Sequence, residues 1–267
     1  MKKWAILAVV FAVVFLSFSL LAGEKLEWPD LAGQWALFQV VSDYWEAPLL
    51  GERPRRIYQI AKIAIAQDGP DLVLRSEGIC LMKFDMGTSM VRLSVSPEFL
   101  KVAHIGPLRG SLSREGDEVL LKIPTFTVLN GVRLAEPETE PLPTSPEDPR
   151  VVDIDGDGKP GFTVYVRILG FIPGETYVVQ RLRQEYHGRV WGPDLVRGVI
   201  AWEDEQVTLG ASGSFFLISG RGRPDPDPNH SFFILRRITG TETCDELIGL
   251  FQEELEGQAS FGMVNCL

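Results

Sequence analysis

Beyond residue 30, apolar and polar positions alternate with a period of two along most of the chain, the pattern of strands that bury one face. Residues 34–41, 56–66, 71–75, 79–84 and 90–94 read as strands. Residues 111–113 and 118–123 flank Arg114-Glu115-Gly116-Asp117, a hairpin signal. Asp68-Gly69-Pro70-Asp71 and Asn130-Gly131 are further turn signals, because Gly and Asn adopt positive φ at little cost. Strands resume at 162–169, 176–183, 195–202, 206–209, 214–219 and 231–238. The period changes once, near the end. Thr243 with Glu246 forms a capping box, Leu247, Ile248, Phe251 and Leu255 share a helical face, and Gly257 is the expected stop. Residues 135–150 break every pattern: prolines at 137, 141, 143, 146 and 149 exclude a central strand and predict an extended surface loop or linker.

Successive strands joined by short turns predict an antiparallel meander, which needs closure or a second sheet to protect its edges. The expected fold class is therefore mainly β, an antiparallel barrel or sandwich with one C-terminal α-helix. A single domain over 24–267 is expected, since each half offers few strands and the helix needs a sheet to cover. Two small β domains, 24–134 and 151–267, are the alternative. In Phe215-Phe216 and Phe232-Phe233, one ring of each pair should point inward and the other outward. Leu31-Ala32-Gly33-Gln34-Trp35 resembles the Gly-x-Trp opening of lipocalin-like barrels. That resemblance implies a tryptophan plugging one end of the barrel and a small apolar ligand carried inside.

Composition adds a compartment and excludes a partner. Met1-Lys2-Lys3 and the apolar run that follows it read as an export signal over residues 1–23, with a retained N-terminal anchor as the alternative. Either places the globular part outside the cytoplasm, in a bacterial periplasm, in the cell envelope or secreted. The net charge is −10, and becomes −12 once Lys2 and Lys3 leave with the signal. Such a chain lacks the basic stripe that nucleic acid requires. An oxidising compartment favours a disulfide among Cys80, Cys244 and Cys266, and Cys244–Cys266 is the expected pair, leaving Cys80 a buried thiol.

The segment with the most specific chemistry is Asp153-Ile154-Asp155-Gly156-Asp157-Gly158-Lys159-Pro160-Gly161. Asp153, Asp155 and Asp157 fall at positions 1, 3 and 5 of a calcium loop, Gly158 at the sharp turn, and the carbonyl of Lys159 at position 7. The stretch resembles the EF-hand and dockerin loop, which implies bound Ca2+. It departs from that pattern at position 12, where Val164 replaces a bidentate glutamate, so Glu175 or Asp148 is expected to complete the site. Asp225, Asp227 and Asn229 offer a second alternation of oxygen ligands. The histidines (104, 187 and 230) lack ligand spacing, and Gly210-Ala211-Ser212-Gly213-Ser214 lacks the last glycine and the helix of a nucleophile elbow. Glu203, Asp204 and Glu205 read as a hairpin tip. With no catalytic constellation, the expected function is non-enzymatic: an exported binding protein with a structural calcium loop and a small apolar ligand. The alternative is a calcium-dependent adhesion or carbohydrate-binding module that meets a surface glycan through exposed aromatics; a hydrolase ranks third.

Overall fold

The computed structural model describes residues 27–47, 51–103, 106–213 and 222–256. The expected export segment, His104, strand 214–219, Gly257 and Cys266 lie outside them. The strands are β1 Gly33–Ala47, β2 Gly51–Asp68, β3 Asp71–Asp85, β4 Val91–Val95, β5 Leu108–Glu115, β6 Glu118–Asn130, β7 Phe162–Ile168, β8 Ile172–Gly192, β9 Leu195–Gly213, β10 Gly222–Pro224 and β11 Phe232–Ile238. Three short helices accompany them: α1 Pro97–Val102, α2 Cys244–Leu250 and α3 Gln252–Leu255. The single C-terminal helix expected from the sequence is thus two short pieces, and α1 is an addition.

All strand pairings are antiparallel, and they close. Around the ring run β1, β2, β3, β5, β6, β8, β9 and β11, with β11 returning to β1. Near one end, β7 takes over the edge of β8 beyond β6, and β4 pairs with β7. Closure is complete around the base; toward the other end, β9 beyond Val199 pairs only with β8 and β3 beyond Leu74 pairs only with β2 among the described residues.

The two ends of the barrel differ. At the base, β1 begins and the β2–β3, β5–β6 and β8–β9 turns lie together. Trp35 is fully buried there, its indole N–H donating to the Leu31 carbonyl at 2.8 Å. Arg237, its cross-strand partner, stacks 4.5 Å from the Trp35 ring and donates to the carbonyls of Asp30, Ala32 and Pro193. Above this plug Leu37, Ile63, Leu121, Ile123, Val196 and Phe233 fill the interior. Phe233 explains two mid-strand glycines. Gly188 and Gly198 face each other across β8 and β9, and a Cβ on either would strike the Phe233 ring.

Outside the barrel, Ala36, Phe38, Val40, Tyr58, Ile60 and Ile234 form a second apolar face, covered by Leu247 of α2, Leu255 of α3 and Phe251 between them. Phe38 stacks on Phe251 at 5.2 Å between ring centres. Phe233 points in and Phe232 out, as period-two geometry demands. The capping box of Thr243 and Glu246 starts α2 as expected.

The disulfide differs from the sequence expectation. Cys244 bonds to Cys80, with Cα atoms 5.1 Å apart, and not to Cys266. The reason is a β-bulge. Ile60 pairs with Leu81 and Ala61 with Ile79, so Cys80 is an extra residue of β3, turned toward the outer face where α2 begins. A strictly alternating reading of Ile79-Cys80-Leu81-Met82 could not show this.

The proline-rich segment is a clamped surface loop. Val132 and Val151 pair at its neck, and Leu142 buries against Val179 and Leu209 on the outside of β8 and β9. Arg181 and Arg183 bind the Glu138 carbonyl, and Arg150 bridges Glu140 and Asp148.

Candidate functional site

Two features stand together at the open end of the barrel: the acidic loop and an internal cavity. The loop lies between the proline-rich segment and β7. Asp153 sits at its centre, its carboxylate accepting the backbone N–H groups of Gly156 (2.7 Å), Asp157 (3.2 Å) and Gly158 (2.8 Å). Asp157 accepts from the Lys159 amide at 2.8 Å and the Thr163 hydroxyl at 2.5 Å. Asp155 is 6% exposed; its Oδ2 accepts from the Thr163 amide at 3.1 Å and the Ser96 hydroxyl at 3.4 Å. Its Oδ1 is buried with no hydrogen-bond partner. One oxygen from each of the three aspartates lies within 4.8 Å of the others, and this is the only such carboxylate cluster among the described residues.

Electrostatics make the arrangement costly without a cation. Burial raises the Asp155 carboxyl above its ordinary range, and the charges of Asp157 and Asp153 raise it further. The Tyr165 phenol is raised by burial, then by Asp157, Glu175, Asp155 and Glu98, so the negative field extends over this face. Lys159 does not neutralise it: its ammonium lies 5.5 Å from the Tyr177 ring centre. Neither expected completer joins the cluster. Asp148 is held by Arg150, and Glu175 accepts from the Tyr177 and Ser212 hydroxyls. Val164 lines the cavity.

Glycines shape the loop. Gly156, Gly158 and Gly161 all have positive φ, and a Cβ on Gly161 would overlap the Val178 carbonyl oxygen. Gly161→Ala should therefore cost roughly 2–3 kcal/mol, while Gly156→Ala, with open space around it, should cost about 1 kcal/mol for its φ alone. Urea unfolding of the two variants checks the ordering.

The second candidate resolves as a turn. Asp225 accepts the Asp227 amide, and Asp227 accepts the Asn229 amide and side-chain N–H. His230 Nδ1 and the Ser42 hydroxyl take the other Asp225 oxygen. These oxygens are committed to a chain of local bonds that leads into β11, and they do not converge on a common point.

The cavity occupies the barrel above the filled core and encloses about 150 Å3. One wall is apolar: Met82 and Phe84 of β3, Leu93 and Val95 of β4, Val164 and Val166 of β7. Phe99 of α1 and Phe162 stack at 4.6 Å on the same side. The opposite wall is polar, with Gln180 and Gln184 of β8 and Asp204, Gln206 and Thr208 of β9. Ile154 of the acidic loop packs against the Phe99 and Phe162 pair, and Ser96, which caps α1, bonds to Asp155. The loop thus buttresses the apolar wall.

Asp204 is the residue the sequence reading misplaced. Residues 203–205 are no hairpin tip; they lie within β9. Glu203 and Glu205 face out to Arg183 and Arg181, and Asp204 faces the cavity. Asp204 is exposed, as are Gln206 and Thr208 beside it on the cavity lining; desolvation raises its carboxyl and the bond from Gln180 lowers it in part. The signal lay in the alternation Trp202, Asp204, Gln206, Thr208 once one uninterrupted strand is granted. Among the described residues the exposed aromatic rings are Tyr165 of β7, Phe171 at the β7–β8 turn and Trp191 of β8.

Compared with known proteins, the chain matches no family model, no curated protein and no solved structure. Among the described residues no helix is long and apolar enough to cross a membrane.

Proposed function

We propose that this chain is an exported, non-enzymatic barrel that carries a small, largely apolar molecule in its interior, with Ca2+ in the acidic loop as a structural ion. The observation that carries the reading is the cavity: one end of the barrel is plugged by Trp35, and the other holds a chamber with a continuous apolar wall. An apolar cavity of about this size can hold a benzene-sized guest. We read the barrel as lipocalin-like, on the strength of the Gly33-x-Trp35 opening, the meander order of the ring and the helices on its outer face. Export is supported by the N-terminal apolar run and by a disulfide.

Native mass spectrometry of the protein exported with its own leader and purified without chelator tests the reading. The expected result is a mature chain with calcium and a small-molecule mass that leaves on denaturation. A chain that never retains or takes up any small molecule overturns the carrier reading. Surface adhesion, the alternative, has less support, because among the described residues the exposed rings of Tyr165, Phe171 and Trp191 are spread over β7, the β7–β8 turn and the far end of β8.

Asp153, Asp155 and Asp157 fit a hard cation: three carboxylates converge, and one buried oxygen has no other partner. Calcium at 100 times its Kd should stabilise the fold by about 2.7 kcal/mol, which raises the melting temperature by about 5–10 °C for a chain of this size. Asp155→Ala should abolish the difference between calcium and chelator. Identical melts of the natural protein in both conditions would end the calcium assignment.

A further inference from the structure

The polar floor of the cavity carries an inference about what the barrel holds, and it rests on the carrier reading above. Four side chains lie in a row across the interior: Gln59, Gln39, Tyr186 and Gln184. Gln39 Nε2 donates to Gln59 Oε1 at 3.2 Å, and the Tyr186 hydroxyl gives its one proton to Gln39 Oε1, which leaves Gln184 Oε1 beside the hydroxyl oxygen at 3.4 Å without that proton. Both ends of the row are unfinished. Gln59 Nε2 and Gln184 Nε2 are buried with no hydrogen-bond partner in the protein, on side chains only 7% and 2% exposed that line the cavity. Every group in this floor is neutral. Burial pushes the Tyr186 phenol far above its usual range, so it stays un-ionised.

Charge elsewhere in the cavity is already balanced or unsuited to an anion. Arg55 is held by Asp43, Nε to Oδ1 at 2.8 Å with a second bond between Nη2 and Oδ2. Asp204 adds a carboxyl that accepts from Gln180 at 3.0 Å. Among the described residues that line the cavity, no cation is left over for a carboxylate or phosphate head group.

We infer that the cavity selects an uncharged amphiphile whose head is an amide or a similar neutral donor–acceptor group, seated head-down between Gln59 and Gln184 with its apolar part against the β3–β4–β7 wall. An amide head is complementary to a glutamine side chain whichever way that amide lies, since each offers one acceptor and two donors. An unmatched buried amide costs ~1–3 kcal/mol, so satisfying the two ends separates a matched head from a mismatched one by about tenfold or more.

Isothermal calorimetry with three probes that share one alkyl chain tests this: octanamide, octanoate and octylammonium at neutral pH. The expected order is octanamide tighter than both ions by tenfold or more. In Gln59→Met/Gln184→Met, which keeps side-chain volume, the preference should shrink to under threefold while the melting temperature stays within a few degrees. Should that double variant fail to fold, Gln184→Met alone should lose a smaller part of the preference. Equal or tighter binding of either ion overturns the inference and leaves the carrier reading in place, with octylammonium pointing to Asp204. An amide preference that survives both substitutions also overturns it. If none of the probes binds and purified protein retains no small molecule, the carrier reading fails and the inference fails with it.

Discussion

Replacing Cys80 or Cys244 by serine should lower stability by about 3–5 kcal/mol, because the bridge closes a loop across a sequence separation of 164 residues. At about 2–4 °C per kcal/mol for a chain of this size, the melting temperature should fall by about 6–20 °C. The loss should be concentrated at the outer face. Cys244 is the first residue of α2, so the bond fixes the start of the helical cover over Phe38, Tyr58 and Ile60. Without it, Leu247, Phe251 and Leu255 dock by packing and by the bonds of Arg236 to the Leu250 carbonyl and Glu254 and of Lys83 to the Leu255 carbonyl. Cys266→Ser should leave the melt unchanged, because Cys244 is already paired. Differential scanning calorimetry of the three single variants decides between the two pairings. A large loss from Cys266→Ser with a neutral Cys80→Ser would restore the Cys244–Cys266 bridge.

Trp35→Ala should be comparably damaging, at about 4–5 kcal/mol, the cost of emptying a fully buried aromatic site that cannot collapse. The barrel wall around it is held by ladder bonds on both sides of β1, so the space cannot close. Arg237 loses the ring it stacks on, an interaction worth about 0.5–2 kcal/mol. Trp35→Phe should recover more than half of the loss, since a smaller ring still fills the base. Urea titration followed by circular dichroism gives these values. A cost below about 1 kcal/mol for Trp35→Ala would mean that the base is closed by the 27–32 segment and not by the indole.

Much of the wall was readable from local pattern. The alternation located the described strands other than the short β10, with β3 and β9 each read as two pieces, and the turns at Gly69 and Gly116 fall where their residues place them. The helix cap at Thr243 and the inward Phe233 with outward Phe232 were also legible. Each depends on neighbours a few residues away, which a sequence displays directly. Strand lengths were less so. The segments 176–183 and 206–209 belong to β8 and β9, far longer strands, because ring closure pairs positions whose own propensity is weak. The same effect hid Asp204, whose polar neighbours resemble a turn until the strand on each side is known.

The acidic loop was the most legible part of the site. Aspartates at alternate positions and glycines where positive φ is needed are local requirements, and the structure meets them around Asp153. Its surroundings were not legible. Ser96 and Thr163 touch the carboxylates, whereas Glu175 and Asp148 are engaged elsewhere, a matter of which strands lie beside the loop.

By itself, then, the sequence determined an antiparallel β fold, an acidic chain, a capped helix near the end and a glycine-shaped loop that gathers three aspartates. All of these follow from side-chain period, backbone preference and charge, which act over a few residues. Only the tertiary structure decided that the strands close into one ring, that Cys244 meets Cys80, and that the upper interior is a chamber with one apolar and one polar wall. A bulge at Cys80 reverses which side chains face outward, and the ring brings Gln59 of β2 and Gln184 of β8 to opposite ends of one row of polar side chains. Contacts between residues more than a hundred positions apart are set by strand register and closure, and no local pattern encodes those.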